Sequence, residues 1–228
     1  MTISPTAPSS PASFYAAGVD LGQKRDFSVI AVVHKQTQEV SLVYLKQFRL
    51  GTEYGSVMGY LKLLNEKLGD LRRILIDQTG VGAVFVEDVV RAGLKNARGI
   101  MLSLPKKQDV MGYLKQLMEN GRLHIPFDRD LMNEINGEQF QMTETGQIKF
   151  SHPEGTHDDK LWALALAVYE SRPEVPTYHP AIAFGKAIKP LWSVPRTETI
   201  RRPVSSTGNQ QLCWTCGKPK IPGQEHVH

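Results

Sequence analysis

The chain has little sulfur, with two cysteines in 228 residues, and both fall near its end as Cys213 and Cys216. No disulfide framework can be built from them, and a reducing compartment is the simplest setting. No apolar run approaches the 18 residues that a membrane helix needs. The first residues, Met1 to Ser13, are rich in Ser, Pro, Thr and Ala, with no basic stretch before an apolar one. They read as a flexible leader over 1–13 rather than a secretory signal. Nowhere is there a Gly-x-x-x-x-Gly-Lys-Ser/Thr loop, so these residues hold no P-loop motor. Internal repeats are lacking. So is a large excess of one charge, the formal net being +4 with 22% charged residues. The small basic surplus gathers after Pro173, where it suits either a polyanionic partner or a solvated tail.

What is present is enough apolar material, 41% of the chain, for one sizeable core. Tyr15–Leu21 is a short apolar run that reads as a buried strand. Phe27–His34 and Val40–Leu50 read as two more, joined by short turns into an antiparallel meander. Between Glu53 and Leu68 the period changes to three and four, as in an amphipathic helix. Strands are expected at Arg73–Asp77, Gly99–Leu104 and Leu123–Ile125. Helices are expected at Ala83–Ala92, Lys106–Asn120 (closed by Gly121) and Asp128–Gln139. A hairpin around Gly146 and an apolar helix over His157–Ser171 complete the series. Three antiparallel strands followed by alternating helix and strand make an α/β mixed sheet flanked by helices, in the order of a ribonuclease H-like fold. Past Ser171 the prolines Pro173, Pro176, Pro180, Pro190, Pro195 and Pro203 break any long element. The expected layout is one domain over 14–171, a Pro-rich basic linker or arm over 172–211, and a small metal knuckle over 212–228.

The carboxylates carry the functional signal. Asp20 and Asp77 each close an apolar strand, and Asp158 and Asp159 open an apolar helix. An acid in such a run is costly unless it is paired or bound to a cation. Strand ends form a sheet rim, where ligands bind. If the two strands are neighbours, Asp20 and Asp77 lie side by side and the helix start adds a third acid. Such a cluster repels itself without a counter-charge, and Mg²⁺ or Mn²⁺ with oxygen ligands would supply one. The bland alternatives are an N-cap role for Asp158 with Asp159 in the first turn, and turn roles for Asp20 and Asp77.

Gly18-Val19-Asp20-Leu21-Gly22, Ile76-Asp77-Gln78-Thr79-Gly80-Val81-Gly82 and His157-Asp158-Asp159-Lys160 with the apolar run after it resemble, in order and spacing, the three motifs of the viral terminase large-subunit nuclease domain. The likeness covers about residues 15–171. It implies a metal-dependent DNA endonuclease in which Asp20, Asp77 and Asp159 carry two Mg²⁺ or Mn²⁺ ions, with Asp158 either a further ligand or the cap that orients Asp159. It implies hydrolysis of phosphodiester bonds with 5′-phosphate and 3′-hydroxyl products, as in cutting concatemeric viral DNA during packaging. Double-stranded DNA would be the substrate. A separate packaging ATPase, a small terminase subunit and a portal would be partners, and the host cytoplasm the location. Full large subunits of that family begin with an ATPase motor. Here the motor is on another chain, or this is an isolated or stand-alone nuclease.

Lys106 and Lys107, opening a helix near the same rim, are candidates for phosphate contact or plain surface lysines. Cys213-Trp-Thr-Cys216, with His226 and His228, offers a Cys₂His₂ set for structural Zn²⁺, although the two histidines are closer than usual. The alternative is a terminal C-x-x-C without metal. Three other functions remain at this point. They are a junction-resolving nuclease of the same fold, a catalytically silent DNA-binding or scaffold domain, and an actin- or sugar-kinase-like nucleotide-binding module. The last needs a second Gly-rich phosphate loop, and none is visible.

Overall fold

A computed structural model describes residues 13–22, 26–69, 71–79, 82–143 and 146–172, and the backbone of 212–213. The leader before Ser13 and the linker over 173–211 lie outside the described residues. So do Gly80, Cys216, His226 and His228, and with them most of the expected zinc knuckle.

The elements run β1 (Phe14–Asp20), β2 (Val29–Gln36), β3 (Glu39–Gln47), α1 (Tyr54–Leu68), β4 (Leu71–Asp77), α2 (Gly82–Arg91), β5 (Ala97–Ile100) and α3 (Leu104–Glu119). They continue with β6 (Leu123–His124), α4 (Arg129–Gly137), β7 (Gln139–Met142), β8 (Ile148–Ser151), α5 (Asp159–Glu170) and β9 (Leu212–Cys213). Six strands form one sheet in the order β5-β4-β1-β2-β3-β6. The meander β1-β2-β3 is antiparallel, while β4, β5 and β6 join in parallel. With helices on both faces, this is the ribonuclease H-like arrangement expected from the element order. A smaller antiparallel sheet, β8-β7-β9, holds the expected hairpin, and the chain returns at Leu212–Cys213 to pair its backbone with Phe140 and Gln139.

Strand alternation sorts the core into two layers. Ala17, Val19, Ile30, Val32, Ile74 and Ile76 point to the face covered by α1 and α2. Ala16, Val29, Ala31, Val33 and Leu75 point to the face covered by α3, α4 and α5. By the same alternation Asp20 and Asp77 fall on the α5 side.

Several element ends differ by a few residues from those read in the sequence, two of them for evident local reasons. The fifth strand ends at Ile100 and α3 starts at Leu104, because Pro105 occupies the first turn of α3, where its missing N–H costs nothing. The helix expected over Asp128–Gln139 stops at Gly137, and Gln139 already pairs with Ser151 in the small sheet. The left-handed stop is found at Gly121, with φ of 64°.

Candidate active site

Strands β1 and β4 are parallel neighbours, with Val19 opposite Ile76. Their terminal residues, Asp20 and Asp77, therefore share one rim of the sheet. Thr79 fixes the second acid. Its backbone N–H donates to Asp77 Oδ1 at 2.8 Å and its hydroxyl donates to the same oxygen at 2.6 Å, which leaves Oδ2 outside this turn. Gly82 allows the tight exit from β4, since a Cβ there would overlap the carbonyl oxygen of Asp77. The Tyr54 hydroxyl donates to the Gly22 carbonyl at 3.1 Å and ties down the turn after Asp20.

The third element is α5. It carries no polar face, being buried along its whole length from Asp159 to Glu170. Such a helix can only sit inside the core, and Gly18 lets it sit directly on β1. A Cβ at Gly18 would overlap the Ala163 carbonyl oxygen and the Ala167 amide nitrogen. This seating brings the start of α5 to the rim where β1 and β4 end. Asp159 is 6% exposed, accepts from the Phe27 amide at 3.3 Å and lies 3.5 Å from His157 Nδ1.

Asp158 occupies the N-cap position yet its side chain caps nothing. Its Oδ2 accepts from the Trp162 indole at 2.9 Å and lies 3.1 Å from His152 Nδ1. Capping of α5 comes instead from α4, where Glu134 Oε2 accepts from the Leu161 amide at 2.8 Å. Beside it the buried Lys160 donates to Asp128 at 3.0 Å and to Asp130 at 3.1 Å.

The electrostatics record how close these acids are. Burial pushes the Asp20 carboxyl well above its ordinary range, and Asp159, Asp77 and Asp158 push it further, against a smaller pull from Lys107. Burial likewise raises Asp159 to about 6, with Asp158 adding to it and the Phe27 N–H opposing it. Glu134 is raised to about 8 by burial first, then by Asp159 and Asp158, against the Leu161 N–H and Lys160. Acids that destabilise one another's charge at a sheet rim fit a divalent cation with oxygen ligands. A second group, Glu138, His152 and Asp158, offers ligand atoms within 4.8 Å of one another and mixes nitrogen with oxygen donors.

The two lysines expected at the rim part company. Lys107 sits 4.9 Å over the Trp162 ring and its charge reaches Asp20. Lys106 turns to Asp109 at 3.3 Å and to the Tyr169 hydroxyl at 3.2 Å. Of the proposed zinc ligands, only the backbone of Cys213 is described. Glu134, Glu138 and His152 were not singled out in the sequence. The signal for the first two was an acid every fourth residue, Asp130, Glu134 and Glu138, a spacing that in isolation reads as a solvated helix face.

Residues 17–170 match the family model described as Terminase RNaseH-like domain. The large terminase subunit of Thermus virus P23-45 is 28% identical over 158 residues, which is 69% of this chain and 32% of that protein. This chain thus spans about a third of the length of the curated relatives it matches. The crystal structure of the large terminase nuclease from thermophilic phage G20c with bound magnesium superposes with a TM-score of 0.61 at 27% identity, covering 69% of this chain and 82% of that one. The HK97 bacteriophage large terminase, at 14% identity and a TM-score of 0.59 over 71% of this chain and 40% of that one, shares the fold.

Proposed function

Since the chain belongs to the terminase RNaseH-like domain family, we propose that it is a metal-dependent DNA endonuclease, cutting viral concatemers as part of genome packaging. The observation that carries this reading is the meeting of Asp20, Asp77 and Asp159, from three separate elements, at one rim of the sheet. Asp20, Asp77 and Asp159 would hold the cations, Mg²⁺ or Mn²⁺, and Asp158 is the nearest candidate for a further ligand. When bound, such cations would supply activation of water and neutralisation of the charge that develops on the departing 3′-oxygen.

The chain's own residues prepare that chemistry. Thr79 fixes one oxygen of Asp77, and the Phe27 amide does the same for Asp159. Lys107, held against Trp162 within electrostatic reach of Asp20, is the better placed of the two lysines to meet a phosphate of the DNA. No base-reading helix is evident among the described residues, so cleavage is expected to show little sequence preference. The magnesium-bound relative supports the choice of cation. A packaging ATPase, a small terminase subunit and a portal are proposed as partners, in keeping with the likeness to large terminase subunits.

The test is supercoiled plasmid incubated with the purified chain in Mg²⁺, Mn²⁺ or EDTA. Metal-dependent nicking or linearisation is expected, with at least a hundredfold loss, on the order of one removed catalytic interaction, in Asp77→Asn protein of unchanged circular dichroism. Cleavage that persists in Asp77→Asn would remove the assignment.

A further inference from the structure

Helix α5 presents an unusual division of labour at its N-terminus. An N-cap Asp ordinarily accepts from the N–H of the second or third helical residue. Asp158 stands at that position and does not. Its carboxylate is engaged by the Trp162 indole and faces His152. The third helical N–H, that of Leu161, is taken by Glu134 of α4 at 2.8 Å. Helix α4 is itself anchored on both sides of this contact. Leu131 and Ile135 are buried in the core layer shared with α5. Asp128 caps α4 by accepting from the Leu131 amide at 2.9 Å and also accepts from Lys160 at 3.0 Å. Asp130, four residues before Glu134 and so on the same helix face, also accepts from Lys160. Consecutive residues of α5, Lys160 and Leu161, are thus gripped by one edge of α4 immediately after the Asp158-Asp159 pair.

We propose that Glu134 is a positioning residue of the nuclease site, capping α5 in place of Asp158 and so leaving the carboxylates of Asp158 and Asp159 available to metal. This role rests on the nuclease reading above. Without Glu134, the Leu161 N–H loses its acceptor, and Asp158, at the start of the same helix, is the nearby side chain suited to replace it. Taking over the cap would draw Asp158 off Trp162 and disturb the adjoining Asp159. A glutamine at 134 keeps an acceptor oxygen at the same reach, whereas alanine does not.

The experiment compares wild type, Glu134→Ala and Glu134→Gln in the full chain by four readouts. Without metal, the Leu161 amide is followed by hydrogen exchange, and the Trp162 indole N–H by its NMR shift. The Ala variant should exchange roughly tenfold faster at Leu161, as expected for loss of one buried hydrogen bond, and should move the indole resonance. The Gln variant should stay near wild type in both. With Mn²⁺, calorimetric affinity should weaken roughly tenfold in Glu134→Ala, and the metal concentration for half-maximal cleavage should rise in step, with recovery in Glu134→Gln. If Glu134→Ala does not fold, Glu134→Met, of similar length and without an acceptor, replaces it.

Unchanged Leu161 exchange in the Ala variant, or Mn²⁺ affinity equal to wild type, overturns the positioning role. So does a Gln variant as impaired as Ala. A wild type that neither binds Mn²⁺ nor cleaves removes the nuclease reading and the role together. That outcome is distinguishable from failure of the cap, because the Leu161 amide is read without metal.

Discussion

Glu134, Asp20 and Asp159 hold their protons above the ordinary carboxylate range, and the sign can be read in stability. The Glu134 carboxyl, ordinarily near 4.5, is held at about 8 by burial and by Asp159 and Asp158, against Leu161 N–H and Lys160. A raised folded-state value means that the folded protein keeps its proton longer than the unfolded chain. The associated stability is fully present below about 4.5 and is lost as pH rises through about 8. Asp159, raised to about 6, acts in the same direction over a lower window. Melting temperature in EDTA should therefore fall as pH rises from about 4.5 to about 8, and Glu134→Gln, which has no proton to lose, should narrow that fall. A steeper fall in the variant would contradict the assignment. Residues of this kind differ in how legible they are. Asp20 and Asp77 stand out in the sequence because an acid closing an apolar strand is anomalous within its own segment. Glu134, Glu138 and His152 acquire their meaning only from contacts made across the chain. The choice between cap and ligand for Asp158 depended on whether another element supplied the cap.

At the scale of elements, the seating of α5 on β1 decides whether the acids meet. Gly18→Ala places a methyl group against the backbone of Ala163 and Ala167. Backbone cannot rotate aside as a side chain can. The substitution should therefore cost about 1–3 kcal/mol in urea denaturation, typical of an overpacked core, and depress cleavage along with stability. Wild-type stability and activity in Gly18→Ala would show that the helix is not seated there. The strand meander, the amphipathic α1 and the apolar α5 were readable from period and composition, since each is a property of a contiguous segment. The adjacency of β1 and β4, on which the whole site depends, is a property of strand order, and no local pattern encodes it. Boundaries slipped where one residue changes the rule, as at Pro105, whose ring suits a first turn and so moves the start of α3 back to Leu104.

For the molecule as a whole, the cluster of like charges makes stability depend on its counter-ion. A ligand that binds only the folded state stabilises it by about 2.7 kcal/mol at a hundredfold excess over its dissociation constant. Mg²⁺ or Mn²⁺ should thus raise the melting temperature, EDTA should reverse the rise, and Asp20→Asn should abolish it. An equal rise in that variant would point to a cation bound elsewhere, with Glu138, His152 and Asp158 the first group to examine. Among the described residues no helix is long and apolar enough to cross a membrane. Asp20, Asp77 and Asp159 are proposed to hold jointly the cations used for cutting. Anomalous diffraction from crystals of the chain soaked in Mn²⁺ tests this most directly. Strong peaks bounded by the carboxylates of Asp20, Asp77 and Asp159 are expected. Peaks confined to other residues, or none at saturating Mn²⁺, would contradict it.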